Sequence, residues 1–256
     1  MRILLTNDDG IRAPGIVALF DALEGLGEII PIAPLTVQSA TSHGVTFNEP
    51  LMTSEVEVND RMHGVAVDGR PADCVKLAIS TLWPERFGAG SRPDLLISGM
   101  NAGANCGVNV IYSGTVAAAI EGAFLGVPSI AVSLMLRSKP PLFDLAARHA
   151  RLAIDVVLEG GMLEPHDCIN INLPPHHEAI VPPPIRVAPM NTHGLVDRYD
   201  ARQSPSGEKY YWASGDGLDF HSTEVDSDVD TLFKDMTSVT PLQYDLTRAA
   251  DLARWR

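Results

Sequence analysis

The chain has 256 residues, 45% of them hydrophobic and 20% charged, which suits one large globular α/β unit or such a unit with an appendage. A formal net charge of -13 argues against a partner such as a nucleic-acid polymer, whose backbone is tracked by clustered Lys and Arg. No apolar run reaches the roughly 18 residues that span a bilayer, and Met1-Arg2-Ile3-Leu4-Leu5 passes directly into Asn7-Asp8-Asp9 without a signal peptide's apolar region; the expectation is a cytoplasmic protein with no membrane partner.

In chain order, Ile3-Leu4-Leu5 reads as a buried strand. Pro14 opens a helix with Ile16, Val17, Leu19, Phe20 and Leu23 on one face, stopped by Gly25 and Gly27. Residues 29–33 form a second strand ended by Pro34, and Gly69-Arg70-Pro71 leads into a helix over 72–82. Leu95-Leu96-Ile97 is a third strand. A helix over 115–125 closes at Gly126, and residues 129–134 are a fourth strand. Residues 142–158 are amphipathic, with Phe143, Ala146, Leu152, Ala153, Val156 and Val157 on the apolar stripe, and residues 168–173 are a fifth strand. Strands alternating with helices predict an α/β fold with a mostly parallel sheet covered by helices on both faces. Pro174, Pro175, Pro182, Pro183 and Pro184 mark a boundary, giving a core over 1–184 and a β-rich extension over 185–256 with a hairpin around Ser204-Pro205-Ser206-Gly207. The last residues, 252–256, suggest a short helix or a frayed tail. Cys74, Cys106 and Cys168 lack C-x-x-C spacing and are expected to be reduced and packed as small hydrophobes.

Four segments carry chemistry. Thr6-Asn7-Asp8-Asp9-Gly10 follows the first strand, where ligands of open α/β sheets bind, and its two carboxylates suit a hard cation; alone, it is also what any solvated turn contains. Val37-Gln38-Ser39-Ala40-Thr41-Ser42-His43-Gly44 follows the second strand and offers hydroxyls. Ser98-Gly99-Met100-Asn101-Ala102-Gly103-Ala104-Asn105-Cys106-Gly107 follows the third, with amides that can ligate a cation or donate to a phosphate. Tyr112-Ser113-Gly114-Thr115-Val116 precedes a helix whose capped N-terminus can attract an anion. Neither G-x-G-x-x-G nor G-x-x-x-x-G-K-[ST] occurs, which weakens dinucleotide and triphosphate readings. Three of the segments follow successive parallel strands and should converge. A carboxylate pair beside a neutral, donor-rich cradle is what metal-assisted phosphate hydrolysis requires, since the cation polarises the phosphoryl group and lowers the pKa of water toward about 7.

These segments resemble the SurE family, the stationary-phase survival protein E, whose members are metal-dependent 5′/3′-nucleotidases. The likeness runs from Ile3 through Asp8-Asp9-Gly10, Ala13-Pro14-Gly15, Gln38-Ser39, Gly69-Arg70-Pro71 and Ser98-Gly99-Met100-Asn101 to Tyr112-Ser113-Gly114-Thr115. It continues through Glu121-Gly122, Asn170-Ile171-Asn172-Leu173-Pro174, Tyr210-Tyr211-Trp212 and Thr240-Pro241-Leu242. The resemblance implies one divalent metal ion per subunit, Mg²⁺ or Mn²⁺, held by Asp8, Asp9, Ser39 and Asn101, with phosphate contacts at Asn105, Ser113, Gly114 and Thr115. It further implies a Rossmann-like core, nucleoside monophosphates as substrates, and a homodimer or homotetramer formed through the C-terminal extension. Ala40 stands where the family usually has glycine, Gly107-Val108-Asn109 where it usually carries aspartate, and Asp226-Ser227-Asp228-Val229-Asp230 is unusual for it. Attack by water is the expected route, and transfer to Asp8 or Asp9 the alternative. A metal-dependent nucleotide-binding or sensing protein without turnover stays open as a different class. His43 lies near the expected site, but a loop histidine without a role there is the expectation; His176 and His177 fall in the Pro-rich linker.

Overall fold

The computed structural model describes residues 1–137, 140–161, 163–175, 181–214 and 217–255, so His176 and His177 lie outside the described residues. β1 (Arg2–Thr6) is buried from Ile3 onward and sits in the middle of the sheet. Alternation sends Ile3 and Leu5 into one core and Leu4 into the other, which is how a strand covered on both faces reads as an unbroken apolar run. α1 (Pro14–Ala22) has proline at its first position and buries Ile16 and Leu19, while Val17 and Phe20 pack at the margin of the same core. β2 (Glu28–Pro34) follows, parallel to β1.

Two strands with no expected counterpart come next, β3 (Met52–Glu57) and β4 (His63–Asp68). β3 is the outer strand; five of its six residues are exposed, so it lacks the apolar alternation that marks a strand in sequence. α2 (Pro71–Leu77) starts where expected, with the Asp73 carboxylate accepting the Arg70 N–H at 3.0 Å. It then runs through a π turn over Ala78–Leu82 into α3 (Trp83–Phe87). β5 (Leu95–Ala102), α4 (Gly114–Phe124), β6 (Ser129–Leu134), α5 (Phe143–Glu159) and β7 (Cys168–Leu173) complete the alternating pattern. The apolar stripe of α5 differs from the expected one. Ala146, Ala147, Ala150, Ala153 and Ile154 face the sheet, whereas Leu152 and Val156 are 46% and 51% exposed, because small residues let the helix lie close to α1 and β7.

After β7 the chain adds β8 (Ile185–Val187), a hairpin of β9 (Arg198–Gln203) and β10 (Lys209–Ser214), α6 (Asp228–Phe233) and β11 (Thr237–Leu242). A short 3-10 turn over Ala249–Arg254 follows. Among the described residues nine strands form one sheet in the order β3-β4-β2-β1-β5-β6-β7-β11-β8, and the hairpin stands apart from it. The strands from β4 to β7 pair in parallel; β3 is antiparallel to β4, and β11 is antiparallel to β7 but parallel to β8. The sheet therefore crosses the Pro-rich stretch, since β8 and β11 lie beyond residue 184. Pro241 is tolerated within β11 because pairing with β8 ends at Val239, leaving that side of the strand without a partner to be denied a donor. α1 and α5 cover one face of the sheet and α2 and α4 the other. All three cysteines are free and buried, and burial pushes the Cys168 thiol up to about 12. No helix among the described residues is long and apolar enough to cross a membrane.

Strand order reverses between β2-β1 and β5-β6, which opens a crevice past the carboxyl ends of β1 and β5. The close approach of α1 to that end of the sheet depends on Gly15, where a Cβ would lie 2.1 Å from the Met100 carbonyl oxygen. Gly15→Ala is expected to lower stability by about 2 kcal/mol, read as a fall in urea midpoint at unchanged m-value. An unmoved midpoint would refute the contact.

Candidate active site

The crevice is a cleft of about 420 Å³ lined by Asp8, Asp9, Ser39, Asn101, Asn105 and Ser113 among others. Each expected metal ligand and two of the four expected phosphate contacts thus line one cavity, although they come from segments up to a hundred residues apart.

Asp8 leaves β1 as the strand ends. The turn behind it is closed by the Asn7 amide, which donates to the Gly10 carbonyl at 2.8 Å, and Gly10 takes φ +97°, a left-handed conformation that favours glycine. The Asp8 carboxylate is 5% exposed. It accepts the Thr115 hydroxyl at 2.6 Å on Oδ1 and the Thr115 N–H at 3.2 Å on Oδ2. The first turn of α4 can come this close only because Gly114 lacks a side chain, whose Cβ would stand 2.9 Å from Asp8 Cβ and 3.0 Å from Oδ2. Gly114 and Thr115 consequently stand behind Asp8, with the Thr115 donors directed at the carboxylate. Ser113 caps α4, its Oγ accepting the Val116 N–H at 3.1 Å, which leaves the hydroxyl proton to be donated into the cleft.

Asp9 is half-buried and accepts the Ala102 N–H at 3.1 Å, tying the turn after β1 to the end of β5. Asn101 sits within β5, just past an irregularity in its register with β6. Its Nδ2 donates to the Gly103 carbonyl at 2.7 Å, so the amide oxygen is the side left for a ligand. Ser39 is exposed, and its loop is fixed by the Gln38 N–H donating to the Asp8 carbonyl at 2.7 Å. Among the described residues neither Ser39 Oγ nor Asn101 Oδ1 has a protein hydrogen-bond partner.

Asn105 is held from below by residues that the sequence marks only as a motif without a role. Its N–H donates to Asn172 Oδ1 at 2.8 Å, its carbonyl accepts the amides of Asn170 and Asn172 at 2.8 and 3.0 Å, and its own Nδ2 donates to Ser133 Oγ at 2.9 Å. Asn170, Asn172 and Ser133 are fully buried on β7 and β6. Ser133 gives no signal in the sequence. His43 is not in the cleft: its Nε2 lies 2.7 Å from the buried carboxylate of Glu121, which also accepts Lys76 Nζ at 3.1 Å. Burial alone would raise the Glu121 pKa, but these two partners outweigh it and hold the carboxyl below its usual range.

The donor set fits a hard cation. Its groups are carboxylate, hydroxyl and amide oxygens, and no Lys or Arg pairs with Asp8 or Asp9 among the described residues. Burial pushes the Asp8 carboxyl up to about 6, the Thr115 hydroxyl opposes that, and the neighbouring charge of Asp9 adds to it. A bound cation would offset both the burial and the repulsion. The described residues hold no cluster of three or more His, Cys, Asp and Glu side chains suited to a metal, so a cation here would rely on Ser39 and Asn101 beside the two aspartates.

Fold and cleft together define a Rossmann-like α/β protein with an acidic, oxygen-lined ligand site at the topological switch point of its sheet. The family profile described as Survival protein SurE matches residues 3–194. The 5'-nucleotidase SurE of Rhodopirellula baltica is 43% identical over 254 residues, covering 97% of this chain and 94% of that protein. The 5'-nucleotidase SurE of Syntrophobacter fumaroxidans is 40% identical, covering 96% and 95%. The crystal structure of the SurE protein from Aquifex aeolicus superposes with a TM-score of 0.82 at 34% identity, covering 99% of this chain and 98% of that one. The chain belongs to the SurE family.

The Asp8 environment makes a prediction for the metal-free protein. The folded state keeps the Asp8 proton to higher pH than the unfolded chain does, so it binds more protons between 3.8 and about 6 and loses stability as pH rises through that window. Asp8→Asn removes this penalty while its amide can still meet the Thr115 N–H and hydroxyl. The variant, stripped of metal, is expected to exceed wild type by about 1–3 kcal/mol at pH 7 and to match it near pH 4, measured by urea unfolding. An equal difference at both pH values would show that ionisation of Asp8 is not the cause.

Proposed function

We propose that this protein hydrolyses nucleoside 5′- and 3′-monophosphates to nucleoside and inorganic phosphate, with short polyphosphate as a further substrate, and that it does so with one divalent cation, Mg²⁺ or Mn²⁺, at Asp8, Asp9, Ser39 and Asn101. The observation that carries this reading is the meeting of a buried and a half-buried aspartate, paired with no Lys or Arg among the described residues, with neutral hydroxyl and amide groups in one open cleft. The relatives named 5'-nucleotidase SurE, matched over nearly their whole length, support the same reaction.

When bound, the cation supplies Lewis-acid polarisation of the phosphoryl oxygens and activation of water. The protein's own groups then have distinct tasks. Asp8 and Asp9 bind the cation as carboxylates, with Asp8 held in register by Thr115 at the N-terminus of α4. Ser113 and Asn105 face the phosphate as donors, and the helix N-terminus behind Gly114 contributes its partial positive charge to oxygens that become more negative in the transition state. Water is the attacking group in this reading, with transfer to an aspartate as the rival route; trapping of an enzyme phosphorylated on Asp8 or Asp9 would favour the latter. The nucleoside takes the part of the cleft lined by Asn109, Tyr112, Leu136 and Leu218, which provide polar and apolar walls. The same reading makes the protein a cytoplasmic homodimer or homotetramer joined through residues 185–256, supported by the aromatic side chains that β9 and β10 present to solvent.

The test is phosphate release from 5′-AMP, 3′-AMP and polyphosphate with Mn²⁺, Mg²⁺ or EDTA, for wild type and Asp9→Asn. Release is expected only with metal, and kcat/KM is expected to fall by about 10³ in the variant, because a cation ligand acts on the transition state directly. No release with any metal from folded protein that still binds Mn²⁺ would sink the hydrolase and leave a nucleotide-binding protein without turnover.

A further inference from the structure

The unusual acidic stretch near the C-terminus contains one carboxylate that is not on the surface. Asp228, the first residue of α6, is fully buried, and among the described residues it pairs with no Lys or Arg. Three backbone N–H groups from three parts of the chain converge on it. Oδ1 accepts from Asn191 and from Val229, each at 2.8 Å, and Oδ2 accepts from Gly107 at 2.8 Å. Gly107 lies two residues past Asn105 and opens the 3-10 turn Gly107–Tyr112 that leads to the Ser113 cap of α4. One carboxylate thus joins the loop of the cleft to the segment after β8 and to α6.

The surroundings show that the loop is fitted to this junction. Gly107 has φ +55°, and a Cβ there would lie 2.8 Å from the Phe220 ring and 3.3 Å from the Asn191 carbonyl. Cys106, Met135, Val229 and Leu232 form a small apolar cluster of their own, with Ala104, Leu218 and Phe220 packed against it. Asn105 is pinned from the sheet side by Asn170 and Asn172; Gly107 is pinned from the opposite side by Asp228. A charge-assisted bond from a buried carboxylate is among the stronger single tethers a loop can have.

We propose that Asp228 is a positioning residue for the reaction: through Gly107 it sets the loop that carries Asn105, Asn109 and Tyr112, and so couples the C-terminal region to substrate binding. The inference rests on the nucleotidase reading of the cleft. It separates substrate placement from cation placement, because Asp8, Asp9, Ser39 and Asn101 all precede the tether and are held by other bonds.

Asp228→Asn tests this with near-equal shape. The amide oxygen can keep the Asn191 and Val229 bonds, while the NH₂ group faces the Gly107 N–H and cannot accept from it. Hydrogen exchange of the folded variant is expected to speed up by about tenfold for amides in residues 104–112, with the amides of β5, β6 and β7 unchanged. With Mn²⁺ saturating, KM for 5′-AMP is expected to rise by about fivefold or more, while the Mn²⁺ concentration for half-activation stays the same. Asp228→Ser, too short to reach Gly107, is read in the same way should the amide variant not fold. Unchanged exchange in 104–112, faster exchange spread evenly over the sheet, a KM and a metal requirement that shift together, or failure of both variants to fold would each overturn the proposal. Exchange does not depend on turnover, so an inactive wild type would fail the nucleotidase reading alone.

Discussion

The site is built on the contact between the Asp8 carboxylate and the first turn of α4. The Asp8 carboxylate, just past the end of a central parallel strand, is largely buried, and burial by itself favours its neutral form. The Thr115 hydroxyl and N–H recover part of that loss, but only because residue 114 is glycine and the helix can approach within van der Waals distance. The rest is not offset within the protein, since the described residues bring no Lys or Arg to it. Through the loops after β2 and β5 the fold surrounds that point with neutral oxygens.

The opposite wall of the cleft follows a different rule. Asn105 is fixed by Asn170, Asn172 and Ser133, each buried in the sheet. Amides suit this place because each can donate and accept, so the backbone N–H and C=O of Asn105 are both met without bringing a second charge near the aspartates. One wall thus carries the two carboxylates, while the other is neutral and held by the sheet. A dianionic phosphate placed between them would meet donors on one side and two carboxylates on the other, whose repulsion a bound cation would have to offset.

Much of this was legible in the sequence, for physical reasons that also mark the limits. The strands that became β1, β2, β5, β6 and β7 are short apolar runs because both of their faces are covered, and the chemistry-bearing segments follow such runs directly. β3 was silent because an outer strand needs no apolar alternation, and β4, though paired on both sides, offers only the short run Val65-Ala66-Val67. On α5, Leu152 and Val156 mislead because alanines, with little hydropathy of their own, make the close face. The return of β11 to the sheet was hidden in pairing between residues such as Ser238 and Asn172, which no local pattern records. The same holds for Thr115, which reads as a helix cap and phosphate contact but is turned onto Asp8, and for Asp228, which reads as one aspartate in a polar stretch.

The two margins of the large sheet are unlike, and this gives the molecule a direction. On the β3 side the outermost strand presents Glu55 and Glu57, and the Arg12 guanidinium occupies the Glu57 carbonyl at 3.0 Å. An incoming strand would meet like charge and a backbone acceptor already taken, so this margin is closed to growth. On the far side β8 is three residues long, too short to template another strand, while the free-standing β9–β10 hairpin carries Tyr199, Tyr210, Tyr211 and Trp212 in the open. Edge-to-edge stacking is thereby discouraged at both margins, and a group of exposed aromatic side chains sits instead on a hairpin apart from the sheet.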